Sequence, residues 1–224
     1  MTSPDSSPPP SVDPSPRPRP PRVPVEPYSS SEIAASLRSP LRLIDLVLET
    51  PDRLAANLES ARGGPALALA FVLAATAFAT PYGIVLGLNS WWRVAALYMG
   101  STLICLPSLY VFARYVGVRV GPLQIAVLAS SIPAVAAMFS FGFAPVLAFL
   151  RATMETENAE ISWRDISRLL LATALVAGVA RLWNCLLRAR GLDSRRSLVI
   201  VLLGWHAVFL HVLFRVADVL GLSE

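Results

Sequence analysis

The chain has 224 residues and a formal net charge of +4, yet only 15% of its residues are charged and 54% are hydrophobic. A soluble domain carries about 25% charged residues, so this composition excludes an ordinary water-soluble domain and favours a membrane protein. The basic residues show no face with interleaved aromatic side chains, and we therefore expect no nucleic-acid partner. All 19 are arginine, which is typical of GC-rich codon usage and predicts a bacterial source.

Residues 1–31 form a tail that is rich in proline and serine, with 11 of the 19 prolines preceding Tyr28. Such a segment cannot bury enough apolar surface to offset its ordering entropy, so we predict a disordered tail with polyproline II character. Residues 17–22 (RPRPPR) include one PxxP step, which could bind a protein partner that has an aromatic groove, although a solvated tether is the favoured interpretation. No apolar signal-peptide core precedes residue 31, and the first membrane span is expected to direct targeting.

Residues 32–64 predict two short amphipathic helices. Ser39-Pro40 and Thr50-Pro51 each place an N-cap residue before a proline that suits the first helical turn. The expected apolar faces consist of Leu41, Ile44, Val47 and Leu48 in the first helix, and of Leu54, Leu58 and Ala61 in the second. Both helices are too short to cross a bilayer, so we expect them to lie in the membrane interface. The alternative is that they pack on the end of the helical bundle from the aqueous side.

The region 65–220 contains five apolar stretches, at about 65–88, 94–116, 123–150, 166–187 and 197–220. Long apolar runs favour helices over a membrane barrel, whose strands alternate at every second residue. The predicted fold class is therefore all-α, a polytopic transmembrane bundle of five spans. The third stretch would measure ~42 Å as a straight helix, against a hydrocarbon core of about 30 Å. Pro133 and Pro145 leave two interpretations, one bent helix or two half-helices.

The arginines near the span ends predict the orientation of the chain. With a cytoplasmic N-terminus, the outer segments hold Trp91, Trp92 and Trp163, and indole rings are favoured at an interface. In that orientation the inner segments contain more arginines than the outer segments, which is the bias found in membrane proteins. The eight inner arginines are 53, 62, 114, 119, 188, 190, 195 and 196, and the five outer arginines are 93, 151, 164, 168 and 215. We therefore expect a multi-pass protein of the cell inner (cytoplasmic) membrane, with the N-terminus inside and the C-terminus outside.

Polar residues inside predicted spans are costly and mark candidate sites. Arg181 and Asn184 share one face of the fourth span, within reach of the interface for the long arginine side chain. His206 lies at a similar depth in the fifth span, where it could contact Arg181 or could be a neutral histidine bonded to backbone or serine. The remaining candidates, His211, Arg215 and Asp218, form a second polar face, and Arg215 and Asp218 have the spacing of an ion pair.

Small residues predict where helices pack closely. Ala174-x-x-x-Gly178 and Ala126-x-x-x-Ser130 are patterns that allow close approach of membrane helices. Ser130 and Ser131 could open the backbone before Pro133 onto a cavity, or could satisfy backbone carbonyls in their own helix.

Neither an enzyme nor a cofactor site is indicated by the motifs. The chain lacks the zinc-protease motif H-E-x-x-H, the nucleophile motif G-x-S-x-G, a glycine-rich phosphate loop and paired intramembrane carboxylates. Cys105 and Cys185 both lie in apolar stretches without metal-ligand spacing, so we expect buried thiols and no metal.

Three segments carry a resemblance to a known group: residues 82–87 (YGIVLG), 103–112 (LICLPSLYVF) and 143–146 (FAPV), together with Trp205. Over roughly residues 40–220 the chain resembles a family of uncharacterised bacterial multi-span membrane proteins. A looser likeness, at the level of topology, is to the five-span Yip-domain family, which works in membrane traffic. The first resemblance implies a membrane fold without an assigned activity.

Two functions follow as hypotheses. The first is a non-enzymatic integral membrane protein that organises lipid or partner proteins through its interfacial helices and its tail. The second is a small transporter or permease component that uses polar residues of spans four and five, chiefly Arg181 and His206. The oligomeric state is left open by the sequence.

Overall fold

The computed structural model describes residues 26–49, 51–60, 64–87, 91–115, 121–154, 162–188 and 195–222. The side chains of 51, 58–60, 186–188 and 195–202 are outside this description, as is the predicted tail up to residue 25. Within these ranges every regular element is helical, which confirms the all-α class. The helices are α1 (Ser30–Ser36), α2 (Pro40–Leu48), α3 (Pro51–Ser60), α4 (Gly64–Leu86), α5 (Arg93–Tyr115), α6 (Pro122–Met154), α7 (Trp163–Arg188) and α8 (Arg195–Val219).

Four helices of the described chain are long and apolar enough to cross a membrane: α4, α5, α6 and the part of α7 up to Cys185. They correspond to the first four predicted spans and their bounds differ from the predicted ones by a few residues. The fifth predicted span coincides with α8, which has 25 residues.

The third apolar stretch is one continuous helix. α6 has 33 residues and continues through Pro133 and Pro145, so two half-helices are not what the chain forms. At 1.5 Å per residue it measures ~50 Å, longer than the hydrocarbon core, and the surplus requires tilting or an extension beyond the bilayer. α6 packs against α4, α5 and α7, and α8 packs against α5. The core of the bundle is therefore built around α6.

α6 and α7 approach each other closely. A Cβ atom built on Gly178 would lie 2.5 Å from the carbonyl oxygen of Ile132, so only glycine permits this contact. Ala174, one turn earlier, is fully buried. These contacts confirm the predicted small-residue seam in α7. The Ser130 and Ser131 hydroxyls donate to the Val127 and Leu128 carbonyls of their own helix, which is the second of the two arrangements considered for them.

The helices before the bundle pack on one of its ends, which we call the first end. α4 and α6 begin there, since Gly64 meets Leu123. α1 and α2 contact α4, α2 also contacts α6, and α3 contacts α7. The opposite end, where α4 ends and α5 and α7 begin, is called the second end. There Arg151 of α6 donates to the Val85 carbonyl of α4 at 2.6 Å.

α2 has two apolar surfaces, and the predicted face is only in part the one that packs on the bundle. Leu43, Leu46 and Val47 are buried against the bundle, whereas Leu41 and Leu48 are exposed. The packing of α2 on two helices selects the inward face, and this leaves a second apolar surface facing outward. In α3 Leu54 is buried as expected, while the side chain of residue 58 and residue 61 lie outside the described structure.

The start of the folded chain precedes residue 31, the end assigned to the tail. Ser29 caps α1 through a reciprocal capping box, in which its hydroxyl accepts from the Glu32 amide and its own amide donates to the Glu32 carboxylate. Ser39 is the N-cap of α2 as predicted, although its hydroxyl makes no capping hydrogen bond.

Candidate functional site

Arg53 of α3 is the hub of a polar cluster at the first end. Its Nη1 donates to the Glu49 carboxylate at 2.7 Å, and its Nη2 donates to both oxygens of Glu32 at 3.1 and 3.2 Å. Its Nε donates to the Glu26 carbonyl at 3.2 Å, and its guanidinium carbon stands 4.4 Å from the Tyr28 ring centroid. One side chain therefore joins the segment before α1 to α1, α2 and α3. We call Tyr28, Glu32, Glu49 and Arg53 the Arg53 cluster.

Charges within the Arg53 cluster stabilise one another. The hydrogen bond to Glu49 raises the pKa of the Arg53 guanidinium. Hydrogen bonds from the Ser29 backbone and from Arg53 hold the pKa of Glu32 below its ordinary value. Burial, with a contribution from the nearby Glu49 charge, raises the pKa of Tyr28, which is therefore a neutral phenol. Its hydroxyl has no hydrogen-bond partner among the described residues.

Arg181 of α7 lies beside the Arg53 cluster, close enough for Tyr28 and Glu49 to act on its charge. Its Nε and Nη2 atoms are buried and lack hydrogen-bond partners among the residues that the structure describes. Asn184, predicted on the same face, is exposed. The structure thus brings Arg181 to the junction between α7 and the N-terminal helices and leaves Asn184 outside it.

His206 accepts a hydrogen bond from a tryptophan of α7. The Trp183 indole N–H donates to its Nε2 at 3.1 Å, a contact that the sequence did not indicate. Trp205 packs edge-on against His206 and stacks on Phe209, and its own N–H donates to the Cys105 carbonyl. These contacts fasten α8 to α5 and α7, which indicates a packing role.

The second predicted polar face of α8 is exposed along its length. His211, Arg215 and Asp218 are all exposed. The ion pairs of the described chain do not include one between Arg215 and Asp218, so that predicted pair is wrong. The two side chains face outward, where nothing holds them in one paired geometry.

A pocket of about 290 Å³ opens at the second end, where four helix ends converge. α4, α5, α7 and α8 supply its walls, which are Leu86, Arg93, Trp163, Arg164, Ser167, Arg168, Leu171, Gly221 and Leu222. Sequence reasoning used these arginines for orientation and missed them as a site. The available signal was their position, since they lie near tryptophans at the starts of α5 and α7.

Among the described residues no group of three His, Cys, Asp or Glu side chains could hold a metal ion. Cys105 and Cys185 are both buried and are not joined in a disulfide. The two polar regions offer guanidinium donors, a phenol and carboxylates that are already paired with arginine.

Comparisons with known protein families, curated proteins and solved structures find no match to this chain. The four apolar helices and the bundle they form place the chain in the class of helical membrane proteins.

Proposed function

We propose that this chain is a non-enzymatic integral protein of the cell inner membrane that crosses the bilayer five times and organises lipid or partner proteins. The observation that carries the proposal is the Arg53 cluster. It fixes Tyr28, three residues after the undescribed segment 1–25, to helices packed on the bundle. The described residue next to the tail, Glu26, is therefore held at one end of the membrane domain, as the attachment point of a recruiting segment requires.

The fifth crossing rests on α8. This helix has 25 residues, enough for a hydrocarbon core of about 30 Å, and it packs along α5. Leu203, Leu210 and Phe214 are large apolar side chains that it exposes outward, as lipid contact favours. An odd number of crossings puts the two chain ends on opposite sides, and the arginine bias favours a cytoplasmic N-terminus.

The interfacial role of the N-terminal helices rests on the two apolar surfaces of α2. Leu43 and Leu46 face the bundle, while Leu37, Leu41 and Leu48 are exposed beside it. Large apolar side chains exposed next to the end of a membrane bundle favour the headgroup boundary. In this arrangement α1–α3 both pack on the bundle and contact lipid, which combines the two placements considered for them.

The transporter alternative has less support. It would require Arg181 and His206 to line one path, whereas Arg181 lies by the Arg53 cluster and His206 bonds to Trp183. Buried serines of α6 donate to their own helix. These contacts favour packing over a polar path for a solute.

A crosslinking experiment tests the organising role. A photoreactive amino acid replaces Val12 in the full-length protein, which is then irradiated in native membranes. We expect one or a few defined protein crosslinks that disappear when the PxxP step is removed by Pro18→Ala or Pro21→Ala, with the label kept at position 12. Crosslinks that are unchanged by these substitutions would contradict the proposal. Loss of a solute flux in vesicles by Arg181→Ala, with folding intact, would instead establish transport.

A further inference from the structure

We propose that the pocket at the second end binds the phosphate headgroup of an anionic phospholipid. The recognised chemistry is a phosphate ester with an apolar remainder, and the source is the lipid leaflet that faces this end of the bundle. Nothing in the Arg53 cluster or in the tail takes part, so this site is separate from the proposed recruiting role.

The first observation is the charge of the pocket. Three of its nine lining residues are arginines, namely Arg93, Arg164 and Arg168. The neighbouring acid, Asp165, is held by Arg168 at 3.2 Å and by Ser162. Arg93 and Arg164 form no ion pair within the described chain. Two guanidinium groups are therefore available to an anion, and their planar donor pattern matches phosphate oxygens.

The helix ends add to this positive potential. α5 begins at Arg93 and α7 begins at Trp163, so two helix N-termini lie at the pocket. The partial positive charge of a helix N-terminus stabilises an anion. This contribution supplements the arginines and would not define a site without them.

The second observation is the mixed character of the lining. Leu86, Leu171 and Leu222 provide apolar walls beside the arginines and Ser167. A volume of about 290 Å³ is slightly smaller than is usual for small-molecule pockets, ~300–1,000 Å³. The pocket thus suits a headgroup, while acyl chains would run along the exposed apolar sides of the helices. A free inorganic phosphate would gain nothing from the three leucines.

The third observation is the place of the pocket along the helices. Trp163 lines it, and the Arg151 and Arg164 guanidinium carbons lie 5.4 and 5.8 Å from its ring centroid. Trp91 and Trp92 are exposed at the same end. Tryptophan is enriched at the headgroup level of membranes, so the pocket lies where a lipid phosphate is found.

The far wall of the pocket is built by the end of α8. Gly221 adopts a φ of +64°, and the Leu222 amide donates to the Ala217 carbonyl at 2.9 Å, which completes a Schellman turn. Arg168 Nε donates to the Leu222 carbonyl at 3.4 Å. This fixed turn positions the wall before a ligand arrives, which lowers the cost of binding.

Native mass spectrometry of the full-length protein in detergent provides the test. Phosphatidylglycerol, phosphatidylcholine and glycerol 3-phosphate are added separately, and the bound fraction is measured. We expect phosphatidylglycerol to stay bound to the unmodified protein. Its affinity should be roughly five-fold weaker in Arg93→Gln and in Arg164→Gln, because each arginine near a lipid surface contributes about 1 kcal/mol. Arg215→Gln removes the same charge from an exposed position outside the pocket and should bind as the unmodified protein does.

Each remaining outcome decides the proposal. Equal loss in Arg215→Gln, or no loss in either pocket variant, would overturn the site. Binding of glycerol 3-phosphate as tight as that of the lipid would overturn the lipid source. If Arg164→Gln fails to fold, as shown by circular dichroism, Arg93→Gln and the charge-preserving Arg164→Lys carry the comparison. A topology or crosslinking result against the recruiting role leaves this binding measurement unaffected.

Discussion

The guanidinium carbon of Arg53 stands 4.4 Å from the centroid of the Tyr28 ring, and the same guanidinium bonds to Glu49 and Glu32. A cation over an aromatic face contributes about 0.5–2 kcal/mol, depending on how far the pair is removed from water. Tyr28 is buried, with 4% of its surface exposed. This contact therefore anchors the chain before α1 to α3, which packs on the bundle.

Removing the Tyr28 ring should weaken the attachment of the first described residues to the bundle. In Tyr28→Ala the segment 26–36 loses the ring contact and its burial, and we expect amide-exchange protection there to fall about 5- to 30-fold, equivalent to 1–2 kcal/mol. Protection in α6 should be unchanged. Hydrogen exchange with mass spectrometry on the full-length protein measures both. Arg38→Gln, an exposed arginine outside the Arg53 cluster, is the matched control. Equal protection in Tyr28→Ala and the unmodified protein would contradict the role of Tyr28.

Acid should loosen the same region through Glu32. Hydrogen bonds to the charged carboxylate hold its pKa below the ordinary 4.5. The stabilisation is therefore fully present above pH 4.5 and is lost as the pH falls through the lowered pKa of the folded protein. A spin label at Ser31→Cys, in a variant without Cys105 and Cys185, should become more mobile over that acidic range. Glu32→Gln should remove this pH dependence. A transition of equal size in Glu32→Gln would show that another group titrates.

Replacing Arg181 and replacing Arg53 by methionine should have different effects on thermal stability. Arg181 has two buried nitrogen atoms without hydrogen-bond partners in the described structure, so Arg181→Met removes a desolvation cost that no hydrogen bond offsets at these two atoms. We expect the midpoint of thermal unfolding in detergent to stay equal or to rise. Arg53→Met breaks bonds to Glu32 and Glu49 and should lower it. A clear loss of stability in Arg181→Met would indicate that Arg181 holds a group essential to the fold.

The α6–α7 contact should be destabilised by a single added methyl group at Gly178. Gly178→Ala places a Cβ atom 2.5 Å from the Ile132 carbonyl oxygen, and overpacking of this kind costs about 1–3 kcal/mol. Gly142→Ala is the matched control, because Gly142 also lies in a helix and has open space around its Cβ position. We expect the unfolding midpoint to fall in Gly178→Ala and to stay equal or rise in Gly142→Ala. Equal midpoints would contradict the close approach.

The helices were predictable because apolar runs of span length leave the backbone few alternatives. The seam at Ala174 and Gly178 was also readable, since small residues four positions apart lie on one helix face. The buried face of α2 was not, because Leu41 and Leu43 are both apolar and only tertiary packing on α4 and α6 selects between them.

The sites were harder to predict than the helices. Arg93 and Arg168 are 75 positions apart in the chain, and no local pattern signals that helix ends bring them to one pocket. His206 and Trp183 meet for the same reason, through the packing of α8 beside α7. Arg181 stood out as a costly charge in a span, but its position beside Tyr28 depends on how α1–α3 fold back on the bundle.

The central claim is that the chain crosses the membrane five times with its ends on opposite sides. In a variant without Cys105 and Cys185, single cysteines at Ser15 and at Ser223 are exposed in intact cells to a maleimide that cannot cross the inner membrane. We predict that Ser223→Cys reacts in intact cells, whereas Ser15→Cys reacts only after the membrane is opened. Reaction of both positions from the same side would contradict the claim.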